Sequence, residues 1–187
     1  MLDFIYLASG SQSRQELLKM ANIPFIVIKQ NANEDQFDRN DSLQNVVTQI
    51  AQEKMRCAIL PSGTANGQTC YVLTCDTMGI NGSGQIFGKP IDKAEAIYML
   101  ESYREGAETG TAFCLDKKTW DGSHWQIVAS VTCYVNATYK FNVPNQMLDL
   151  YFKHTMAKFG ASYLDVSGAV AIEDYGMQFV TDRKSVV

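Results

Sequence analysis

Hydrophobic and polar positions along this chain follow two periods, one for strands and one for helices. Phe4 to Ala8 is a short apolar run and predicts a strand. It leads into Ser9-Gly10-Ser11-Gln12-Ser13-Arg14 and then a helix to about Met20, with Leu17, Leu18 and Ala21 on its apolar side. Ser13 and Glu16 have the spacing of an S-x-x-E capping box. Asn22 and Pro24 close that helix, and Phe25 to Ile28 predicts a second strand. After the polar stretch Gln30 to Asp41 comes the clearest helical period: Leu43, Val46, Val47, Ile50 and Ala51 recur at i, i+3, i+4, i+7 and i+8. Lys54 and Ala58 continue the same stripe, so a cation stands where an apolar residue is due.

Pro61 to Gln68 is rich in Gly, Ser and Asn and reads as a loop. Tyr71 to Cys75 is almost wholly apolar, as in a strand buried on both faces, with Asp76 at its end. Ile80-Asn81-Gly82 and Gly84 predict a tight reversal, with Gln85 to Phe87 returning as a strand. Gly88-Lys89-Pro90 follows, and Asp92 caps a helix to about Ser102. Thr109 to Leu115 and Gln126 to Val135 predict longer antiparallel strands, and Pro144 opens a helix with Leu148 and Tyr151 inward. Val170 to Ile172 and Gln178 to Val180 are expected as short closing strands. Helices alternate with strands early, and strands pair later, which gives an α/β protein with a mixed sheet. No repeat or linker interrupts the pattern, so residues 1–187 are expected to form a single domain.

Composition narrows the function. Sixteen Lys+Arg against 20 Asp+Glu give a net charge of −4, which argues against general nucleic-acid binding. Any anionic ligand must then be held by a few basic residues gathered locally. No apolar run approaches the ~18 residues of a membrane span. Met1 to Leu7 lacks the basic start of a signal peptide, and five cysteines without C-x-x-C spacing read as reduced thiols, so a cytoplasmic location is expected. Two histidines cannot build a multi-histidine metal site.

Three groups of residues could carry chemistry. Ser9, Ser11 and Arg14 at a helix start could bind an anion through free N–H groups and hydroxyls, or the serines could simply cap the helix beside a solvated Arg14. Glu34 and Asp76, on separate segments, could hold Mg²⁺, or be a solvated carboxylate and a turn residue. Lys54 must either meet an anion or snorkel to solvent, while Lys89 lies in a rigid Gly-Lys-Pro context just after a strand. Glu173 follows the apolar Val170 to Ile172 and is open to a surface reading. Taken together, a carboxylate pair and a set of cations are the equipment for phosphoanhydride cleavage.

These residues also carry a resemblance. Leu7-Ala8-Ser9-Gly10-Ser11 with Arg14 and Glu16-Leu17-Leu18 is similar to the opening motif of the Maf family of nucleoside triphosphate pyrophosphatases. In register follow Pro24-Phe25, Glu34, Ala51-x-x-Lys54, Asp76-Thr77, Gly88-Lys89-Pro90, Ala96 with Met99-Leu100, and the segment Gly168 to Val180. The resemblance implies an elongated mixed sheet flanked by helices, as in inosine triphosphatases, with two lobes around a cleft, and a homodimer. It implies hydrolysis of a nucleoside triphosphate to NMP and pyrophosphate with Mg²⁺ or Mn²⁺. Ser9, Ser11 and Arg14 would bind the triphosphate, Lys54 and Lys89 would neutralise it, and Glu34 and Asp76 would hold the metal, with Asp76 also activating water.

The chain departs from the family pattern at Gln12 and Ser13, where Pro and the first Arg are usual, and at Ala107 to Ala112; its expected V-V-G-L-P end stops at Val186-Val187, as in a trimmed C-terminus. Glu173 and Asp165-Val166-Ser167-Gly168 resemble the subfamily acting on 7-methyl-GTP, whereas Asp76-Thr77 resembles the one acting on dTTP and UTP. The expectation is therefore an enzyme for modified or non-standard nucleotides, with 7-methyl-GTP ahead of dTTP and UTP. The alternative is a nucleotide-binding or regulatory protein that kept the fold and lost turnover.

Overall fold

A computed structural model describes residues 4–159, 162–171 and 174–186. In chain order these form β1 (Ile5–Leu7), α1 (Gln12–Met20), β2 (Phe25–Val27), α2 (Leu43–Arg56), β3 (Thr69–Asn81), β4 (Ile86–Phe87), α3 (Lys93–Ser102), β5 (Ala107–Trp120), β6 (Trp125–Phe141), α4 (Leu148–Phe159) and β7 (Val180–Val186). The hydrogen-bonded strand order is β2-β1-β3-β5-β6-β7, with β4 on β3, a mixed seven-stranded sheet flanked by helices. The α/β expectation holds. The chain divides into two compact units, one of residues up to Asp38, Val46–Asp76 and Ala112–Tyr134, the other of Arg39–Asn45, Thr77–Thr111 and Val135 onward.

In the first unit β1 pairs in parallel with both β2 and β3, as crossovers through α1 and α2 require. The stripe read in the sequence is the buried side of α2: Val46, Val47, Ile50 and Ala51 are all at most 1% exposed. Leu7, Ala8 and Val72 on the adjacent β1 and β3 segments of the same unit are likewise buried. A buried hydrogen bond from Thr74 Oγ1 to the Ala51 carbonyl (2.7 Å) fixes α2 on β3. Lys54 lies on that buried stripe and is itself buried.

The second unit has an aromatic core. Phe87, Tyr103, Phe141, Tyr151 and Phe179 are buried together, with Phe141 edge-on to Tyr151 at 5.5 Å and Phe87 edge-on to Tyr103 at 5.7 Å. Asp92 caps α3 as expected, its side chain accepting from the Glu95 amide at 2.8 Å. Two glycines make room for Tyr103. A Cβ on Gly79 or on Gly168 would lie 2.5 Å from the phenol oxygen, and Gly168 also has φ of 64°.

Several expectations are corrected. The strand expected over Tyr71 to Cys75 runs from Thr69 to Asn81, so Asp76 stands within it and not at its end. The apolar run marks only the portion paired to β1, through Leu73; β3 continues and pairs antiparallel with β4 at Gly79 and Ile80. β5 and β6 also extend beyond the expected bounds. Charged residues hid the length of β5, although its burial alternates residue by residue from Gly110 to Asp116. The pairs Thr109–Tyr139, Cys114–Thr132 and Asp116–Ser130 run in opposite directions along the two strands, which makes them antiparallel. No strand forms at Val170 and Ala171: the preceding 3-10 turn Ser167–Ala169 places Gly168 and Ala169 at positive φ, and Ile172 is outside the described residues. Gln178 and Phe179 belong to a helical turn, and β7 begins only at Val180.

Candidate functional site

The first part of the site is the start of α1. Ala8 N–H donates to the Leu73 carbonyl (2.9 Å), which ends the pairing of β1 and delivers the chain to Ser9. Ser9 is buried, and its Oγ accepts from the Ser11 amide (3.3 Å) and from Arg14 Nη1 (2.9 Å). The capping box of Ser13 and Glu16 does not form. The chain turns helical at Gln12, so Ser13 is already within the helix, and the N-cap is Ser11. Ser11 makes no side-chain cap bond, and no acidic residue lies in the first turn. The first amides of α1 therefore keep their donors and partial positive charge for an anion.

The second part is a charge cluster inside the first unit. Lys54 Nζ donates to Asp76 Oδ1 at 2.7 Å and lies 2.9 Å from Glu34 Oε1. The snorkelling alternative is thereby removed: Lys54 and Asp76 are only 7% and 5% exposed. Three separate elements supply the groups. α2 gives Lys54, β3 gives Asp76, and a 3-10 turn at Glu34–Gln36, capped by Asn33, presents Glu34. Burial raises the Asp76 carboxyl above its ordinary pKa, and Lys54 pulls it partly back; Glu34 raises it and Arg14 lowers it. The field of Arg14 thus reaches Asp76. Burial likewise raises the neighbouring Cys75 thiol, against the opposing pull of Arg14 and Lys54.

Asp76 Oδ2 is buried and accepts no hydrogen bond. An orphan carboxylate oxygen beside a second carboxylate is the donor set that a hard divalent cation takes. Among the described residues no cluster of three or more His, Cys, Asp or Glu side chains could hold a metal. Glu34 and Asp76 fit Mg²⁺ or Mn²⁺ nonetheless, because such ions are commonly held by one or two carboxylates, with water and phosphate oxygens completing the shell.

The remaining candidates lie in the second unit. Lys89 is largely exposed, with its ammonium 3.6 Å from Asp165. The turn that carries Asp165 is tied to the same loop: Gly168 N–H donates to the Gly88 carbonyl (2.7 Å), and Ser167 Oγ donates to the Thr77 carbonyl. Thr77 pairs with Thr111 through their hydroxyls at 3.0 Å. Glu173 is outside the described residues. Asp116 escaped the sequence reading. It is buried on β5, bonded to Ser130 Oγ at 2.7 Å, and the signal was its spacing of two and four residues from Cys114 and Ala112. All five cysteines are free thiols, three of them buried. Among the described residues no helix is long and apolar enough to cross a membrane.

Comparison with known proteins adds relatives and a family. The chain is 35% identical over 115 residues to the nucleoside triphosphate pyrophosphatase of Synechococcus sp. (strain CC9311), covering 59% of this chain and 56% of that protein. It is 36% identical over 117 residues to the dTTP/UTP pyrophosphatase of Pelodictyon phaeoclathratiforme (strain DSM 5477 / BU-1), covering 60% and 59%. To the nucleoside triphosphate pyrophosphatase of Xylella fastidiosa (strain M23) it is 41% identical over 97 residues, covering 51% and 49%. The chain thus spans about half the length of these curated relatives. The family model of Maf-like proteins matches residues 4–185, nearly end to end, and the chain belongs to that family.

Proposed function

We propose that this chain is a metal-dependent nucleoside triphosphate pyrophosphatase, converting NTP and water to NMP and pyrophosphate by breaking the α–β phosphoanhydride. The observation that carries the reading is the buried Lys54 ammonium between Glu34 and Asp76, with one Asp76 oxygen left unpartnered. Relatives named for this activity support it.

In this reading Ser9, Ser11, Arg14 and the open amides of α1 bind phosphate oxygens through charge-assisted hydrogen bonds. Lys54 offsets phosphate charge at the cluster, and Lys89 exchanges Asp165 for a phosphate oxygen. Glu34 and Asp76 hold Mg²⁺ or Mn²⁺. When bound, the ion supplies positive charge to the reacting phosphate and makes a coordinated water easier to deprotonate. Asp76 takes the proton of the attacking water, a role suited to a carboxylate made more basic by burial.

Base preference is part of the proposal. Glu173 and Asp165 to Gly168 favour 7-methyl-GTP over dTTP and UTP, because a carboxylate accepts from the ring N–H and amino group of a guanine and attracts a methylated, cationic one. A relative is named a dTTP/UTP pyrophosphatase, so those two triphosphates are the competitors to test. Pyrophosphate release from 7-methyl-GTP, GTP, UTP and dTTP, with Mg²⁺, Mn²⁺ or EDTA, tests the whole reading. Release that stops with EDTA and ranks 7-methyl-GTP first supports it. A UTP or dTTP preference overturns the base assignment alone, and no release from any triphosphate favours the binding-protein alternative.

The partner proposed is a second copy of the chain. From Trp125 to Val135, beyond its pairing with β7, β6 carries no charged residue, Pro or Gly, and Ile127, Val128 and Val131 are exposed, so no residue of this stretch blunts the edge against pairing with its own two-fold mate.

A further inference from the structure

We propose that the first unit carries a second ligand site, between α2 and the β5–β6 hairpin, for a neutral planar heterocycle with a ring N–H beside a carbonyl, the lactam edge of a uracil or guanine base. The site is a cavity of about 620 Å³ to which none of Glu34, Lys54 and Asp76 contributes. Its floor is polar. Asp116 is 2% exposed, and its Oδ1 accepts from Ser130 Oγ at 2.7 Å. Its Oδ2 is buried and accepts no hydrogen bond; Lys118 Nζ lies 3.3 Å away as an ion pair without hydrogen-bond alignment. A buried carboxylate oxygen with open lone pairs requires a donor.

The charges of the lining select the ligand: Arg56 also lines the cavity, but its guanidinium is held by both carboxylate oxygens of Glu53 (2.6 and 2.7 Å), which leaves Asp116 and Lys118 as the pair that a ligand meets. An amine cation would satisfy Asp116 but meet the ammonium of Lys118, and a phosphate or carboxylate would satisfy Lys118 but meet Asp116. A neutral group that donates and accepts from adjacent atoms satisfies both, and a lactam edge does this within one plane. The walls suit a flat ring. Met55, Leu60 and Ile127 line the cavity, and the Trp125 indole is held in place by donating its Nε1–H to the Pro61 carbonyl at 2.8 Å. These apolar walls favour a ring over a polyol, which would leave hydroxyls unpaired against them.

Trp120 and Trp125 are the two tryptophans of the chain and their rings are 5.3 Å apart, so intrinsic tryptophan fluorescence reports on this site. The full chain is titrated with uridine, with 3-methyluridine, which lacks the ring N–H, and with ribose. The expected result is saturable quenching by uridine and binding at least tenfold weaker by 3-methyluridine, the scale of one hydrogen bond to a charged group. Uridine binding falls by a similar factor in Asp116→Asn, a residue that lines this cavity and has no part in the triphosphate site, so the two sites are distinguished whatever the fate of the hydrolase reading. If Asp116→Asn fails to fold, the uridine and 3-methyluridine pair on the wild-type chain decides the matter. Equal affinity for the two nucleosides, an equal response to ribose, or no saturable quenching by uridine at millimolar concentration overturns the proposal.

Discussion

Replacing Lys54 by methionine removes one charge and keeps the shape of the side chain, so it isolates what the ammonium does. Its nitrogen lies 2.7 Å from Asp76 and 2.9 Å from Glu34. Unit charges ~4 Å apart attract by about 4 kcal/mol at an effective dielectric constant near 20. The Glu34 share is discounted to about 1 kcal/mol or less, because that side chain is 40% exposed. The Asp76 share is felt in full, and breaking a buried pair costs about 3–5 kcal/mol while the remaining charge persists. Asp76 can escape that cost by taking a proton. Burial already raises its pKa, and losing Lys54 raises it further. A group with a raised folded pKa is favourable below its unfolded value and loses that contribution as pH rises through the folded one. The deficit of Lys54→Met should therefore be small near pH 4 and grow toward pH 8. Urea unfolding across that range, with kcat/KM on the same preparations, measures both effects. Lys54→Met/Asp76→Asn should recover most of the stability and none of the activity. A deficit independent of pH, together with unchanged kcat/KM, would refute the reasoning.

Asp76→Asn should lower kcat by a factor on the order of 10² or more, since in the proposed mechanism it removes a metal ligand and a base together; near-normal turnover of the folded variant would sink both roles. Arg14→Ala and Lys89→Ala should each weaken triphosphate binding by roughly 1.5–3 kcal/mol, read as a rise in KM, and an unchanged KM would return that cation to the solvated surface. Gly168→Ala should cost about 2–4 kcal/mol in thermal or urea unfolding, from its φ of 64° and a Cβ 2.5 Å from the Tyr103 hydroxyl. Tyr103→Phe should cost little alone, because that hydroxyl has no hydrogen-bond partner, and should relieve part of the Gly168→Ala deficit; additive losses would disprove the steric cause.

Elements built on strong periodicity were legible in the sequence: α2 from its apolar stripe, α3 from the Asp92 cap, and the β3–β4 reversal from Asn81 and its glycines. What could not be read was set by pairing at a distance. Nothing local shows that β3 outlasts its parallel partner, so Asp76 looked like a strand end. The capping box failed because the first turn began one residue early, at Gln12, which no propensity distinguishes from Ser13. The segment after Asp165 looked strand-like from Val170 to Ile172, yet Gly168 and Ala169 sit at positive φ to clear Tyr103 and meet Gly88, contacts that come from far along the chain. The residue types of the cluster were visible; that Lys54 bridges Glu34 and Asp76 needed three elements folded together.

The two proposed sites arise from one kind of departure from apolar patterning. Lys54 interrupts the buried stripe of α2, and Asp116 interrupts the buried side of β5. Local rules disfavour both, and such violations concentrate where function compensates for them. Their charge balance separates their chemistry. Lys54 with Glu34 and Asp76 leaves one excess negative charge when both carboxylates are ionised, and an open Asp76 oxygen, which is why we propose a cation that carries phosphate with it for this cluster. Asp116 and Lys118 cancel, as Arg56 does with Glu53, so a bound ion of either sign would meet a like charge, and a neutral donor and acceptor leaves Asp116 and Lys118 both satisfied. A metal drawn to the hairpin cavity would contradict this division as directly as a nucleoside that ignored Asp116.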